Sequence, residues 1–349
     1  MVVRRIDGIN KKQQKRFVIS IFTLLITLVA AIIIALSIGH YGFFDVNRFF
    51  NVVLYAFTGN NKYYSTDVNV IQYIRLPRTI GALLVGGALS VSGLVYQNIF
   101  NNKLVSPDVL GVNSGCCVGA GIAILMGINN NFISIFAFIF GILSVVAALF
   151  LPKIFRNKST ITLVLSGIIV GAFMNSIIGL IKYIADKEDK LSTITFWMMG
   201  SLSGTTIDEL LPVFIISLVC FAVLFIMNFR IDAISLGREE SSSIGVKYKA
   251  NMFIVIICST LLTAASVSLC GQVGWVGLVI PHITRAIVGN RSKETIPISF
   301  LIGAIFMIIV DCISRTVSVD EIPLSIITGI LGAVIYTVVL VKKGRTINE

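Results

Sequence analysis

Charge is what this sequence lacks most. Asp, Glu, Lys and Arg make up 13% of its 349 residues, against about 25% in an ordinary soluble domain. Hydrophobic residues reach 56% and the mean hydropathy is +0.93. A soluble domain with a large core is thereby excluded, and a polytopic integral membrane protein remains. The run from Phe17 to Gly39 has no charge at all and exceeds the roughly 20 residues that span a bilayer. Histidine is scarce, with 2 residues, and carboxylates are nearly absent from the apolar runs, so the paired groups of a membrane-embedded enzyme find no place. Asp311 is the one acidic candidate for proton or sodium coupling, and it sits near a helix end with Arg315. No G-x-x-x-x-G-K-[ST] occurs, which leaves the chain without a phosphate-binding loop for hydrolysing nucleotides. No A-x-A-like exit follows the first apolar run, so the basic start (Arg4, Arg5, Lys11, Lys12, Lys15, Arg16) is expected to be a tail rather than part of a signal peptide. The 6 cysteines (116, 117, 220, 258, 270, 312) all fall in apolar runs with no metal-ligand spacing, and they read as small buried hydrophobes.

The net charge of +11 could suggest nucleic acid, but the basic residues sort by loop. With the N-terminus inside, most of the 28 lysines and arginines fall on the cytoplasmic side, as the positive-inside rule requires. Both termini are then cytoplasmic and the number of crossings is even. The expected architecture is all-α, with about ten transmembrane segments near 17–39, 71–99, 109–128, 132–151, 160–183, 210–229, 250–270, 274–289, 297–316 and 322–341. Residues 1–16 and 344–349 form cytoplasmic tails around one membrane domain, 17–343. His40 to Val70 is the longest insert, and its polar GNNKYYSTD stretch describes an external loop with some short helix.

Small residues recur within helices: Gly81, Gly86, Gly87, Ser90, Ser92 and Gly93 in the second, Gly111, Gly115, Gly119 and Gly121 in the third. Helix association in lipid depends on close backbone approach, so these faces predict tight packing; a flexible gate is the alternative. Between Asp186 and Leu211 the pattern turns amphipathic, which predicts a short helix at or folding back into the outer surface. Trp197 there is either an interfacial anchor or, with Met198 and Met199, the lining of a path for a bulky ligand. The segment Arg230–Lys249 holds LGREESSSIGVK, a polar stretch bounded by glycines, either a solvated loop or a docking helix. Arg75 and Arg78 stand at the external start of the second helix, as snorkelling cations or as forks offered to a partner's acidic groups. Arg315 follows Asp311 by one helical turn, an internal pair or a remnant of a docking surface. Pro281, His282 and Arg285, in GQVGWVGLVIPHITR, need polar partners that hydrocarbon does not supply. The expected topology puts them at the cytoplasmic end of a short eighth helix, where water and neighbouring loops satisfy them, so His282 is no metal or haem ligand.

The run RLPRTIGALLVGGALSVSGLVYQNIFNNKLVSPDVLGVNSG, then WMMGSL, LGREESSSIGV, GQVGWVGLVIPHITRAIVG, DCISR and EIPLSIITG, in order from about residue 71 to 343, resembles the membrane permease of the FecCD family of ABC importers, which carry ferric siderophores, haem or vitamin B12. The resemblance implies a type II importer: two permease subunits, the same or related, two cytoplasmic ATPase subunits that bind ATP and Mg, and an external binding protein that delivers the ligand. No cofactor or metal is implied for the chain itself, and it is not expected to be an enzyme. Carried over by position, Arg75, Arg78 and Arg315 would pair with glutamates of the binding protein. Leu236, Gly237, Arg238, Glu239, Glu240, Ser241, Ser242, Ser243, Ile244, Gly245 and Val246 would form the coupling helix in a cleft of the ATPase. Asn102 and Leu104, with Ser159 and Thr160, match the inner gate. Pro281, His282 and Arg285 belong to the family signature. The fifth helix, the amphipathic piece near 191–203 and the tenth helix would line the pathway between subunits.

The sequence departs from the family pattern at four places. Lys103 and Val105 stand in its N-P-L-A, Trp275 replaces a phenylalanine, Ser325 a glycine and Val334 a proline. These bear on gate geometry and cargo size. The cargo expected is a ferric siderophore, with haem and cobalamin as alternatives, and a secondary transporter or channel is the competing class.

Overall fold

The structure, a computed structural model, describes residues 2–39, 66–154 and 159–348. The expected external loop over 40–70 therefore falls largely outside the described residues. Among those described there are helices and no strands. Helix α1 is Val2–Ser37. The chain resumes as Thr66–Val70, passes through a π-helical turn, Ile71–Arg75, and continues as α2, Leu76–Ile99. A 3-10 turn, Pro107–Leu110, leads into α3, Val112–Leu125. Then follow α4 (Asn130–Ile154), α5 (Thr160–Ile184), the short α6 (Lys190–Met199) and α7 (Ile207–Ile226). Two short helices, α8 (Asn228–Ser235) and α9 (Arg238–Ser243), precede α10 (Tyr248–Cys270), α11 (Val276–Val288), α12 (Ser292–Val317) and α13 (Leu324–Asn348).

Seven of the described helices are long and apolar enough to cross a membrane, and three shorter apolar stretches, Val112–Leu125, Val276–Val288 and Leu324–Val339, complete the expected ten. Local chemistry sets their ends. Ser159 caps α5 by accepting from the Thr162 amide at 3.1 Å, and the Glu209 carboxylate accepts from the Thr206 amide at 3.1 Å at the start of α7. Gly111, at φ +76°, turns the chain from the 3-10 turn into α3.

Helix α2 is the hub. Its most apolar stretch is 89% buried, and it packs on α7, α10, α11 and α12. The small residues read from the sequence are the reason. A Cβ on Gly86 would collide with the Gly303 carbonyl of α12, and one on Gly93 with the Gly277 carbonyl of α11. Gly115 and Gly119 of α3 meet the α4 backbone at Phe140 and Phe136 in the same way. Hydroxyls stitch these seams: Ser92 donates to the Ser259 carbonyl at 2.9 Å, Ser90 to the Ser299 carbonyl at 2.7 Å, and the Tyr96 hydroxyl lies 2.9 Å from Thr260 Oγ1. Close packing is what these glycines permit. Helices α4, α5 and α7 instead turn apolar side chains outward, including Phe150, Phe173 and Phe214, as lipid-facing or subunit-facing helices must.

Candidate functional site

The chain presents two ends. At one lie the C-terminus of α1, the start of α2, α6 and the α12–α13 turn; at the other lie the α2–α3 turn, α8, α9 and the α11–α12 turn.

At the first end the structure corrects the placement of the three arginines: all are buried rather than displayed. The last carbonyls of a helix have no partner within it, and in a membrane protein they need one. Arg75 Nη1 donates to the Leu36 and Ser37 carbonyls at 2.8 and 3.1 Å, and Arg315 Nη2 donates to the Ala35 carbonyl at 2.5 Å. Two guanidinium groups thus cap α1, the charge that a helix C-terminus favours. Arg78 Nε lies 2.5 Å from Asp311 Oδ1 and its Nη1 lies 2.7 Å from Glu321 Oε1. Asp311 Oδ2 faces Arg315 Nε at 3.5 Å, so the internal pair suggested by the four-residue spacing is present. Asp311 is 1% exposed and Glu321 29%, which makes Glu321 the member of the cluster open to solvent.

Beside this cluster the backbone leaves helical geometry. The Gly200 carbonyl accepts from Leu324 N at 3.0 Å, and Ser201 N donates to the Cys270 carbonyl at 2.9 Å. Trp275 adopts φ +69° and packs against α13 where Gly332 leaves room. A cavity of about 550 Å³ opens under α6, lined by Ser134, Phe196, Trp197, Thr205, Glu209 and Cys270 among others. Trp197 lines this cavity, and Met198 and Met199 are not among its lining residues.

At the second end, α8 is anchored and α9 is offered. Ile231, Ala233 and Ile234 of α8 are buried, whereas Leu236, Arg238, Glu239, Glu240, Ser242, Ser243, Ile244 and Gly245 are exposed or nearly so. Within this stretch only Ser241 and Val246 turn inward. Gly237 at φ +112° and Gly245 at φ +79° bracket the six-residue helix, conformations that a side chain would strain. A cavity of about 360 Å³ lies between this unit and the α11–α12 turn, lined by Phe229, Asp232, Leu236, Ile244 and Arg291 among others. The Asp232 carboxylate accepts from Ser292 N at 3.0 and 3.2 Å, and burial pushes its pKa up from the ordinary carboxylate value.

The candidate gate residues Asn102 and Leu104 form one exposed turn. Asn102 Oδ1 accepts from Leu104 N at 2.9 Å, and Asn101 adopts φ +45°. Ser159 and Thr160 open α5; the Thr160 side chain lies outside the described residues. The 3-10 turn that follows the Asn102 turn packs on α5, where Gly167 meets the Val109 carbonyl. Asp108 in that turn accepts from Asn113 N at 2.9 Å, and burial raises its pKa to about 6.

Of the water and neighbouring loops expected to satisfy the signature residues, the α2–α3 loop supplies a partner for His282. His282 is 5% exposed, its Nε2 donates to the Lys103 carbonyl at 3.1 Å, and its ring meets Tyr336 edge-on. Arg285 reaches Gln97 Oε1 and, at 3.4 Å, Asn98 Oδ1. The motif thus clasps the end of α2 and the candidate gate turn, 179 residues away in sequence. Nothing in local periodicity could have found this. Among the described residues no group of three or more His, Cys, Asp or Glu is placed to hold a metal ion.

The sequence and the fold have known relatives. The model of the FecCD transport family matches residues 25–342. The chain is 37% identical to the molybdate import system permease protein of Haemophilus influenzae, over 93% of this chain and 96% of that one. It is also 37% identical to a probable iron chelatin transport system permease protein of Helicobacter pylori, over 79% and 83%. A solved structure described as an inward-facing conformation of a metal-chelate type ABC transporter superposes with a TM-score of 0.83 at 34% identity, covering 92% of this chain and 98% of the other. With a family model spanning nearly the whole sequence and a fold that matches a transporter of this type, the chain is a multi-pass ABC importer permease and belongs to the FecCD transport family.

Proposed function

We propose that the chain is the permease of an iron importer that moves a ferric siderophore, received from an external binding protein and driven by two ATPase subunits on the opposite face. The observation that carries the energy-coupling part is α9: a short, exposed, glycine-bracketed helix on an anchored base, the shape needed to seat in another protein and pass on its movement. Both termini are cytoplasmic in this reading, on the same side as α9, as the distribution of lysine and arginine supports. The Asn102–Leu104 turn with Ser159 and Thr160 forms the inner gate. A second permease, identical or related, covers the outward-facing apolar side of α5, and α5, α6 and α13 line the route between subunits. Movement follows an alternating-access cycle in which ATP binding displaces α9 and the permeases rock about their interface. Arg75, Arg78 and Arg315 serve docking of the binding protein from within, by fixing the ends of α1, α2 and α12 on the outer face, with Glu321 at its surface.

Iron chelate as cargo is supported by the Helicobacter relative's name and the metal-chelate transporter structure. The Haemophilus relative, matched over more of its length, is named for molybdate and favours an oxyanion as the second reading. Reconstitution in proteoliposomes with the cognate ATPase and binding protein decides between them. Ferric siderophore should raise ATP hydrolysis and accumulate inside; stimulation by molybdate instead, or by haem or cobalamin, refutes the siderophore assignment.

A further inference from the structure

The two parts given roles at the cytoplasmic face, α9 and the Asn102–Leu104 turn, belong to different stretches of chain. From the α8 base of the first to the second runs a series of hydrogen bonds, made by side chains and backbone together. Asp232, on the α8 base of the coupling unit, accepts from the Ser292 amide at 3.0 and 3.2 Å. Ser292 Oγ accepts from Asn98 Nδ2 at 3.2 Å, and Asn98 Oδ1 accepts from Arg285 Nη1 at 3.4 Å. The same guanidinium donates to Gln97 Oε1. Gln97 Nε2 then donates to the Val105 carbonyl at 3.2 Å and the Gly277 carbonyl at 3.3 Å, while the Gln97 carbonyl accepts from Asn102 N at 3.1 Å. His282, one turn before Arg285 on α11, holds the Lys103 carbonyl from the other side at 3.1 Å.

We infer that Asp232, Ser292, Asn98, Arg285 and Gln97 act as one relay that carries displacement of the α8–α9 unit to the Asn102–Leu104 turn, and that they are positioning residues for the gate. The inference rests on the roles proposed above for α9 and for that turn. Two features distinguish the series from ordinary packing glue. First, two of its members cannot let go cheaply: Ser292 and Gln97 are essentially inaccessible to solvent, and a buried polar group that loses its partner has no water to replace it, while Asp232, Asn98 and Arg285 are half-buried. Asp232 also sits at the N-terminus of α12, where orphan amides and the helix dipole favour a carboxylate, so a shift of α8 draws the first turn of α12 with it. Second, each link joins a different helix: α8, α12, α2 and α11 in turn. The bonds therefore join four helices into the path by which movement of one end reaches the other.

The test uses the permease reconstituted in lipid vesicles with its ATPase subunits. Leu104 is exposed, so Leu104→Cys reports the gate through its rate of labelling by a maleimide, with and without ATP and vanadate. In the otherwise intact chain the labelling rate should change on nucleotide trapping. Asp232→Ala and Asn98→Ala should each shrink that change, normalised to ATP hydrolysis in the same vesicles, by about fivefold, the factor one hydrogen bond of typical net strength carries. Asp232→Asn keeps an acceptor oxygen for the Ser292 amide and should retain the response. The double variant Asp232→Ala with Asn98→Ala should be no worse than either single, because both cut one series. A full labelling response in Asp232→Ala, additive losses in the double variant, or an Asp232→Asn chain as defective as Asp232→Ala each overturn the relay. Labelling of Leu104→Cys that ignores nucleotide in the otherwise intact chain refutes the gate itself, a distinct result that removes the relay's endpoint.

Discussion

Replacing Asp311 by Ala removes the central anion of a three-cation end. The carboxylate is 1% exposed, binds Arg78 Nε at 2.5 Å and faces Arg315 Nε at 3.5 Å. Without it, Arg78 keeps the 2.7 Å contact to the half-open Glu321, and Arg315 keeps the Ala35 carbonyl. Removing one partner of a buried ion pair costs about 3–5 kcal/mol, since the charge left behind has lost both water and counter-ion. At about 2 °C per kcal/mol, the low end of the range for chains somewhat shorter than this one, the loss amounts to roughly 6–10 °C. The assay is the midpoint of heat-induced loss of the monodisperse peak in detergent. Asp311→Asn retains an oxygen for Arg78 Nε and should lose about half as much. Arg78→Met with Asp311→Leu removes the charge and its counter-charge together, and should recover most of the loss. An Asp311→Ala midpoint within about 2 °C of the parent, or a double variant less stable than the single, refutes the account of this end as an internally neutralised clamp.

Two further outcomes follow from the geometry. Gly93→Ala forces a methyl into the Gly277 carbonyl and should destabilise by about 1–3 kcal/mol or more, whereas Gly179→Ala, with nothing within 4 Å, should leave the midpoint level or slightly raised; equal effects of the two refute the close α2–α11 seam. Asp108 binds its proton more tightly folded, near pH 6, than in an unfolded chain, where a carboxyl titrates near about pH 4. Its contribution to stability is therefore full below about pH 4 and is lost as pH rises to about 6. The parent chain should lose stability relative to Asp108→Asn across that interval, and a pH-independent difference between them refutes the buried placement.

The apolar framework was legible because it is written locally. Ten apolar runs, the small residues of α2 and α3, and the glycines around Arg238–Ser243 depend on near neighbours in sequence, and each appears where its pattern put it. The partners of the polar residues were not legible. Arg78 finds Asp311 at a separation of 233 residues and Arg315 finds Ala35 at 280; no periodicity records which helix end comes to rest against which. For Arg75 and Arg78 the sequence offered water or a partner protein as the acceptor, and omitted the terminal carbonyls of α1 that Arg75 meets and the carboxylates that Arg78 meets. For His282 the place near a helix end suggested water or a neighbouring loop, but not that the loop would be the turn carrying Lys103. The four-residue step from Asp311 to Arg315 was the exception, a tertiary contact visible as a local one.

The glycine seams of α2 also fix what can move. Where backbone touches backbone there are no side chains to change rotamer and absorb sliding. Gly86 against Gly303 and Gly93 against Gly277 therefore behave like keys in keyways: α11 and α12 can neither rotate nor translate along α2 without a carbonyl striking the opposite chain. The consequence is kinematic. These contacts oppose sliding of α11 and α12 along α2 at the seams themselves, so movement between these helices is expected where side chains rather than backbone meet.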